Sequence, residues 1–169
     1  MKKSIIIAAL AVVLAGVSIN SYAVSTFTDL EVSATITEVC TITTTPIAFG
    51  EYTTGFANEL VDGTGTVKTN CTIGTDSGYV TLGQGLYKVA GTDAAPQRLM
   101  KNAGTDTLAY SLSSVSSGGT EWGNTDSTGK ATAVGTGADT TLTVFGRIPA
   151  GQNKPAGSYT DTVVATVTW

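Results

Sequence analysis

Polar and apolar residues alternate through the last part of the chain. Tyr159, Val163, Ala165, Val167 and Trp169 fall on one phase of a period of two, and Thr160, Thr162, Thr166 and Thr168 fall on the other. Val164 is the exception, and Pro155-Ala156-Gly157 breaks the backbone just before the run. This pattern predicts one long strand with one buried face and one wet face. With Trp169 as the last residue, nothing downstream is expected to cover its edge. An apolar strand with an open edge is an aggregation hazard unless something pairs with it. The partner is either a strand of the chain's own sheet or a strand from another molecule.

Shorter runs of the same period recur upstream. Leu30, Val32, Ala34 and Ile36 alternate with polar or acidic neighbours. Val67, Thr69, Cys71 and Ile73 alternate after a turn signal at Asp62-Gly63, and Tyr79 to Leu82 follow Ser77-Gly78. Leu108, Tyr110 and Leu112 alternate after Asn102-Ala103-Gly104. Leu142, Val144 and Ile148 share a phase before Pro149, with Phe145 on the other face. Beyond the N-terminal segment, glycines and β-branched residues interrupt every window of helical length. Several short strands at this spacing predict an antiparallel sandwich in one domain. The Gly- and Thr-rich residues 116–139 fit either a long loop or a weak hairpin.

The first residues read as an address. Met1-Lys2-Lys3 is basic, residues 5–17 are nearly all apolar, and Ser21-Tyr22-Ala23 places small residues at −3 and −1 of a cleavage point. This is the pattern of a secretory signal peptide, residues 1–23. The apolar run is shorter than the roughly 18–20 residues that cross a bilayer. With Lys2 and Lys3 removed, thirteen acidic residues face seven basic ones. An acidic chain without a basic cluster argues against nucleic acid as a partner. In an exported chain, Cys40 and Cys71 are expected to form one disulfide, two free thiols being the alternative.

Catalytic chemistry finds little footing. There is no histidine, which removes the commonest general base and metal ligand. Among the carboxylates, Asp29 and Glu31 are the closest pair along the chain and read as a solvated strand face rather than a catalytic dyad. Gly83-Gln84-Gly85 and Gly135-Thr136-Gly137 do not lie between a strand and a helix, so they make poor phosphate loops. Asn70-Cys71-Thr72 matches a glycosylation sequon on a cysteine already claimed by the expected disulfide. Trp122 could stack on a sugar or plug one end of a sandwich. No catalytic residue, metal or cofactor is expected. A structural or binding role remains, with a secreted carbohydrate-binding sandwich as the alternative and a carboxylate hydrolase as a weaker rival.

Residues 24–33 follow the cleavage point directly. Val24, Leu30 and Val32 share one phase, while Phe27 is off it. Such a segment serves either as the first strand of its own sheet or as a strand given to another molecule. Head-to-tail donation that does not close into a ring builds a fibre.

Cys40-Thr41-Ile42, Phe49-Gly50-Glu51-Tyr52, Cys71, Leu108 to Leu112, Trp122-Gly123, Gly146 to Gln152 and Gly157 to Val163 together resemble the spore-coat-protein-U-like pilin subunits of archaic chaperone–usher pili. The resemblance spans nearly all of residues 24–169. It implies an all-β fold: an incomplete immunoglobulin-like antiparallel sandwich lacking its last strand and completed by a donated one. It implies a pilin domain at residues 34–169 preceded by a donor-strand extension at residues 24–33, carrying Val24, Phe27, Leu30 and Val32. The C-terminal strand with Val163, Ala165, Val167 and Trp169 would border the acceptor groove. The implied partners are a periplasmic chaperone, an outer-membrane usher and neighbouring copies in a head-to-tail homopolymer. The implied location is a fimbrium at the cell surface, serving adhesion and biofilm formation.

Overall fold

The computed structural model describes residues 22–54, 60–75, 77–88, 90–125, 131–133 and 135–169. The expected signal peptide lies outside the described residues, except for residues 22 and 23.

The chain divides at Thr35. Residues 22–35 contain no strand, and Val24, Phe27, Leu30 and Val32 are each more than four-fifths exposed. The shared phase of Val24, Leu30 and Val32 predicts a strand, but a segment becomes one only when a neighbour takes up its backbone groups.

The rest is all-β among the described residues. In chain order the strands are β1 (Cys40–Thr45), β2 (Val61–Cys71), β3 (Tyr79–Leu82), β4 (Arg98–Lys101), β5 (Thr107–Ser113), β6 (Ala131–Thr132), β7 (Asp139–Ile148) and β8 (Ala165–Thr168). They form an antiparallel five-stranded sheet, β1-β2-β7-β5-β4, and a three-stranded sheet, β6-β3-β8. The core lies on the inward phase: Val67 of β2, Val80 and Leu82 of β3, Leu108, Tyr110 and Leu112 of β5, Val144 and Ile148 of β7. The opposite phase of β1, β2 and β7 is mostly threonine. Thr45, Thr66 and Thr143 stand in one cross-strand row. Threonine has the β-branching that favours a strand while its hydroxyl tolerates water.

Three local expectations change. Asp62-Gly63 is not a turn, because both residues lie inside β2. Gly63 pairs with Gly146 of β7. A Cβ at Gly63, Gly65 or Gly146 would stand 3.0, 2.7 and 2.7 Å from side-chain atoms of Ile47 or Phe49. The three glycines therefore make the space in which Ile47 and Phe49 lie on the sheet. Ile73 keeps the phase of β2 but falls in the turn beyond it and is exposed. Within residues 116–139 only the two-residue β6 and the start of β7 are strand among the described residues, with 126–130 and 134 outside the description.

The C-terminal segment is not one continuous strand. Thr160 pairs with Lys101 on the edge of the five-stranded sheet, and Ala165–Thr168 pair with β3 in the other sheet. The segment changes sheets in between, yet the alternation survives. Tyr159, Asp161, Val163, Ala165 and Val167 are partly buried, their neighbours are exposed, and Val164 points out at 66% exposure.

The disulfide forms between Cys40 and Cys71, which are direct partners in the β1–β2 register. The ladder extends one residue beyond it: the Thr72 N–H donates to the Val39 carbonyl at 2.9 Å and the Val39 N–H to Thr72 Oγ1 at 3.0 Å.

Candidate functional site: an apolar groove between two edge strands

β1 and β8 each have one neighbour, so each presents an edge. Between β1 with its continuation to Phe49 and residues 159–165 lies a cavity of about 350 Å³. Its floor is apolar core: Val67, Leu82, Met100, Leu112 and Val144, together with Tyr110. A second cavity of about 720 Å³ shares Ile47, Phe49, Met100 and Tyr159, and adds Glu51, Tyr52 and Lys154 among others. The floor side chains are themselves buried, and the partly buried hydrophobics at the cavity are in its walls: Ile47 and Phe49 on one side, Tyr159, Val163 and Ala165 on the other.

Each wall has its own support. On one side Pro46 ends β1, since a proline lacks the N–H a ladder needs, and Ile47 and Phe49 settle over the glycines. Phe49 meets the Tyr110 ring edge-on, at 6.1 Å between centroids. Tyr52 then ties this wall to the end of β7. Its hydroxyl donates to the Pro149 carbonyl at 3.1 Å and accepts from the Gln152 N–H at 3.0 Å. Gly151, at φ +84°, turns the chain so that Gln152 faces β5. The Gln152 carboxamide accepts from the Ala109 N–H at 2.7 Å and donates to the Ala109 carbonyl at 2.8 Å. It substitutes for a strand where Pro149 has ended β7.

On the other side Asp161 fixes the change of sheet. Its Oδ2 accepts from the Tyr110 hydroxyl at 2.6 Å, and its Oδ1 accepts from the Leu86 and Thr162 N–H groups, each at 2.8 Å. Burial, and then the hydrogen bond to Asp161, push the Tyr110 phenol well above its ordinary pKa. Beneath the groove Arg98 is 1% exposed. It pairs with Glu121 and donates to the carbonyls of Gly83, Leu82 and Trp122 at 2.8, 2.8 and 2.6 Å. Burial lowers the Arg98 pKa and raises that of Glu121, each opposed by the other's charge. A buried arginine with both partner charge and carbonyls satisfied ties β4 to the ends of β3 and to the Trp122 loop.

Of the four expected groove-edge residues, two lie in the wall formed by residues 159–165 and two lie beyond it. Val163 and Ala165 line the smaller cavity. Val167 is partly buried against the core, and Trp169 is 51% exposed beyond β8. The expected donor residues Val24, Phe27, Leu30 and Val32 are all on the exposed N-terminal segment. Of the two readings of Trp122, stacking on a sugar or plugging the sandwich, burial leaves the second. The side chain is fully buried, with its indole N–H on the Val80 carbonyl at 2.9 Å, and offers no face to a sugar. Asp161, Gln152, Tyr52 and Arg98 were not singled out from the sequence. For three of them the signal was available, since they sit in the motifs that carried the resemblance. Arg98 had none, because no pattern in the chain marks which arginine is buried.

A small antiparallel β-sandwich with two exposed edge strands flanking an apolar trough is an open form of the immunoglobulin-like fold. The chain belongs to the Spore Coat Protein U domain family, whose profile matches residues 26–166. It is 42% identical over 127 residues to Protein U of Myxococcus xanthus, covering 72% of this chain and 70% of that protein. In structure it is similar to a chain of the CsuC–CsuE chaperone–tip adhesion subunit pre-assembly complex from the archaic chaperone–usher Csu pili of Acinetobacter baumannii. That match has a TM-score of 0.52 and 26% identity over 80% of this chain, and spans 40% of the other chain's length.

Proposed function

We propose that the protein is a pilus subunit that polymerises by donor-strand exchange, with residues 24–33 of one copy entering the groove of the next. One observation carries the reading: an apolar trough lies between two edge strands in a chain whose own N-terminal apolar residues are exposed. An inserted strand would pair its backbone with an edge and bury alternate side chains. Val24, Leu30 and Val32 supply such a phase, and Phe27 lies off it. Val163, Ala165, Val167 and Trp169 form the wall it meets. During export a periplasmic chaperone supplies the missing strand, and an outer-membrane usher passes subunits into a surface fimbrium that serves adhesion and biofilm formation. The similarity to a subunit from a chaperone complex supports the chaperone step.

The test is Leu30→Asp with Val32→Asp. Two buried, unpaired carboxylates cost several kcal/mol in an apolar groove. Both residues are exposed in the single chain, so its melting temperature should hold while fibres vanish from electron micrographs. Wild-type fibres from the double variant would remove residues 24–33 as the donor.

A further inference from the structure

We infer that Lys101 recognises the acidic face of a second copy's extension, through Asp29 and Glu31. The inference rests on the donor-strand reading and adds a charge contact to it.

Residues 22–39 contain three carboxylates, Asp29, Glu31 and Glu38, and no basic residue. Asp29 and Glu31 flank Leu30. A strand that turns Leu30 and Val32 into the groove turns Asp29 and Glu31 outward, because side chains alternate. The outward row beside the groove is known. Lys101 and Thr160 are antiparallel partners, so their side chains project to one face. Thr160 is exposed and Met100, before Lys101, points into the core. That face is the outer one. A strand added alongside residues 159–163 therefore extends this row by one position, to lysine, threonine, carboxylate. Two strand spacings separate the ends, about 10 Å. A lysine and a glutamate leaning toward each other across a small threonine cover that span.

The ammonium of Lys101 is available for such a partner. Among the described residues the ion pairs are Lys68–Asp139, Arg98–Glu121 and Arg147–Asp62. Lys101 instead lies over the Tyr87 ring, 5.6 Å from its centroid. The nearby carboxylates are engaged: Asp106 accepts from the Asn102 amide, and Asp161 holds three donors on the inner side. Lys154 lines the second cavity and is not part of the row that runs from Lys101 to Thr160. Lys101 is thus the positive group in the outer row, and the extension presents the negative ones.

The experiment compares assembly of the purified chain, read as SDS-resistant ladders in unheated samples, for four proteins. They are the wild type, Lys101→Glu, Asp29→Lys with Glu31→Lys, and all three changes together. At low ionic strength each reversal alone should slow assembly about three- to fivefold, and the triple variant should recover most of the loss. At about 1 M salt the four should converge, because exposed charges are screened. Lys101→Gln, which keeps the stem, should give a smaller loss and guards against misfolding of the reversed variant. Equal rates for wild type and Lys101→Glu at low salt, or a triple variant no faster than the singles, would overturn the charge contact while leaving the groove reading in place. A wild-type chain that assembles no faster than Leu30→Asp with Val32→Asp removes the groove reading, and this inference with it.

Discussion

Gly146→Ala is the sharpest test of how the groove wall is held. The new methyl would lie 2.7 Å from Phe49 Cζ and 2.8 Å from Cε1, closer than carbon atoms approach. Backbone lies on the glycine side, so the ring must move. Overpacking of this kind costs about 1–3 kcal/mol. Replacing glycine also stiffens the unfolded chain, which returns about 0.4–1 kcal/mol. The net expectation is a loss of about 1–2 kcal/mol in urea unfolding. Phe49→Leu removes both clashing ring atoms. It has its own cost, because Phe49 packs edge-on against Tyr110, an arrangement worth about 0.5–1.5 kcal/mol beyond area burial. In the double variant the clash is gone, so the two losses should fall short of additivity by about 1 kcal/mol or more. Phe49 lines both cavities, so Gly146→Ala should also slow assembly, and Phe49→Leu should relieve part of that effect. Strict additivity of the two stabilities, or a neutral Gly146→Ala, would refute the idea that the glycine exists to seat Phe49.

Three further outcomes are expected. Cys40→Ser should lower stability by about 3–4 kcal/mol on the loop-entropy estimate for a separation of 31 residues, measured by urea unfolding, and should lower the exported yield; an unchanged midpoint would count against it. The Tyr110 phenol has its pKa raised in the folded state, so its contribution is fully present below the unfolded value of about 10 and is lost as pH rises beyond it. Melting temperature should therefore fall above about pH 10, less steeply in Tyr110→Phe, and parallel curves would argue against this tyrosine as the cause. Deleting residues 167–169 removes the end of β8, and should abolish chaperone capture and expose the chain to protease; normal capture would contradict the role given to this wall.

Much of the fold was legible because alternation reports burial directly. Val67, Thr69 and Cys71, then Leu108, Tyr110 and Leu112, then Val144 and Ile148 sit inside as their phase requires. The disulfide followed from compartment and count. What the pattern missed involves contacts between distant residues. Gly63 reads as a turn because its local preference is for turns, but its use is set by Phe49 and Gly146. The four-residue β4 reads as nothing, because Arg98 in its inward phase is polar and becomes a core residue only through Glu121 and three carbonyls. The C-terminal run reads as one strand because period two continues through a change of sheet. Which sheet each half joins depends on Lys101 and on β3, not on the run itself. In the wall, the inward phase of Val163 and Ala165 follows from periodicity, whereas the hydrogen bonds of Asp161 to Tyr110 and of Gln152 to Ala109 join residues far apart in the chain, which periodicity does not report although both residues sit in the motifs that carry the resemblance.

The two tryptophans give the protein a built-in pair of optical probes. Trp122 is sealed from water, and Trp169 is about half exposed at the end of β8. Their emission should differ in wavelength and in access to an aqueous quencher. Unfolding would shift the blue component from Trp122. A strand arriving at the β8 edge would shield the red component from Trp169 and leave the other untouched. One unlabelled sample can therefore separate loss of the core from occupation of its edge, in real time and from the same spectrum.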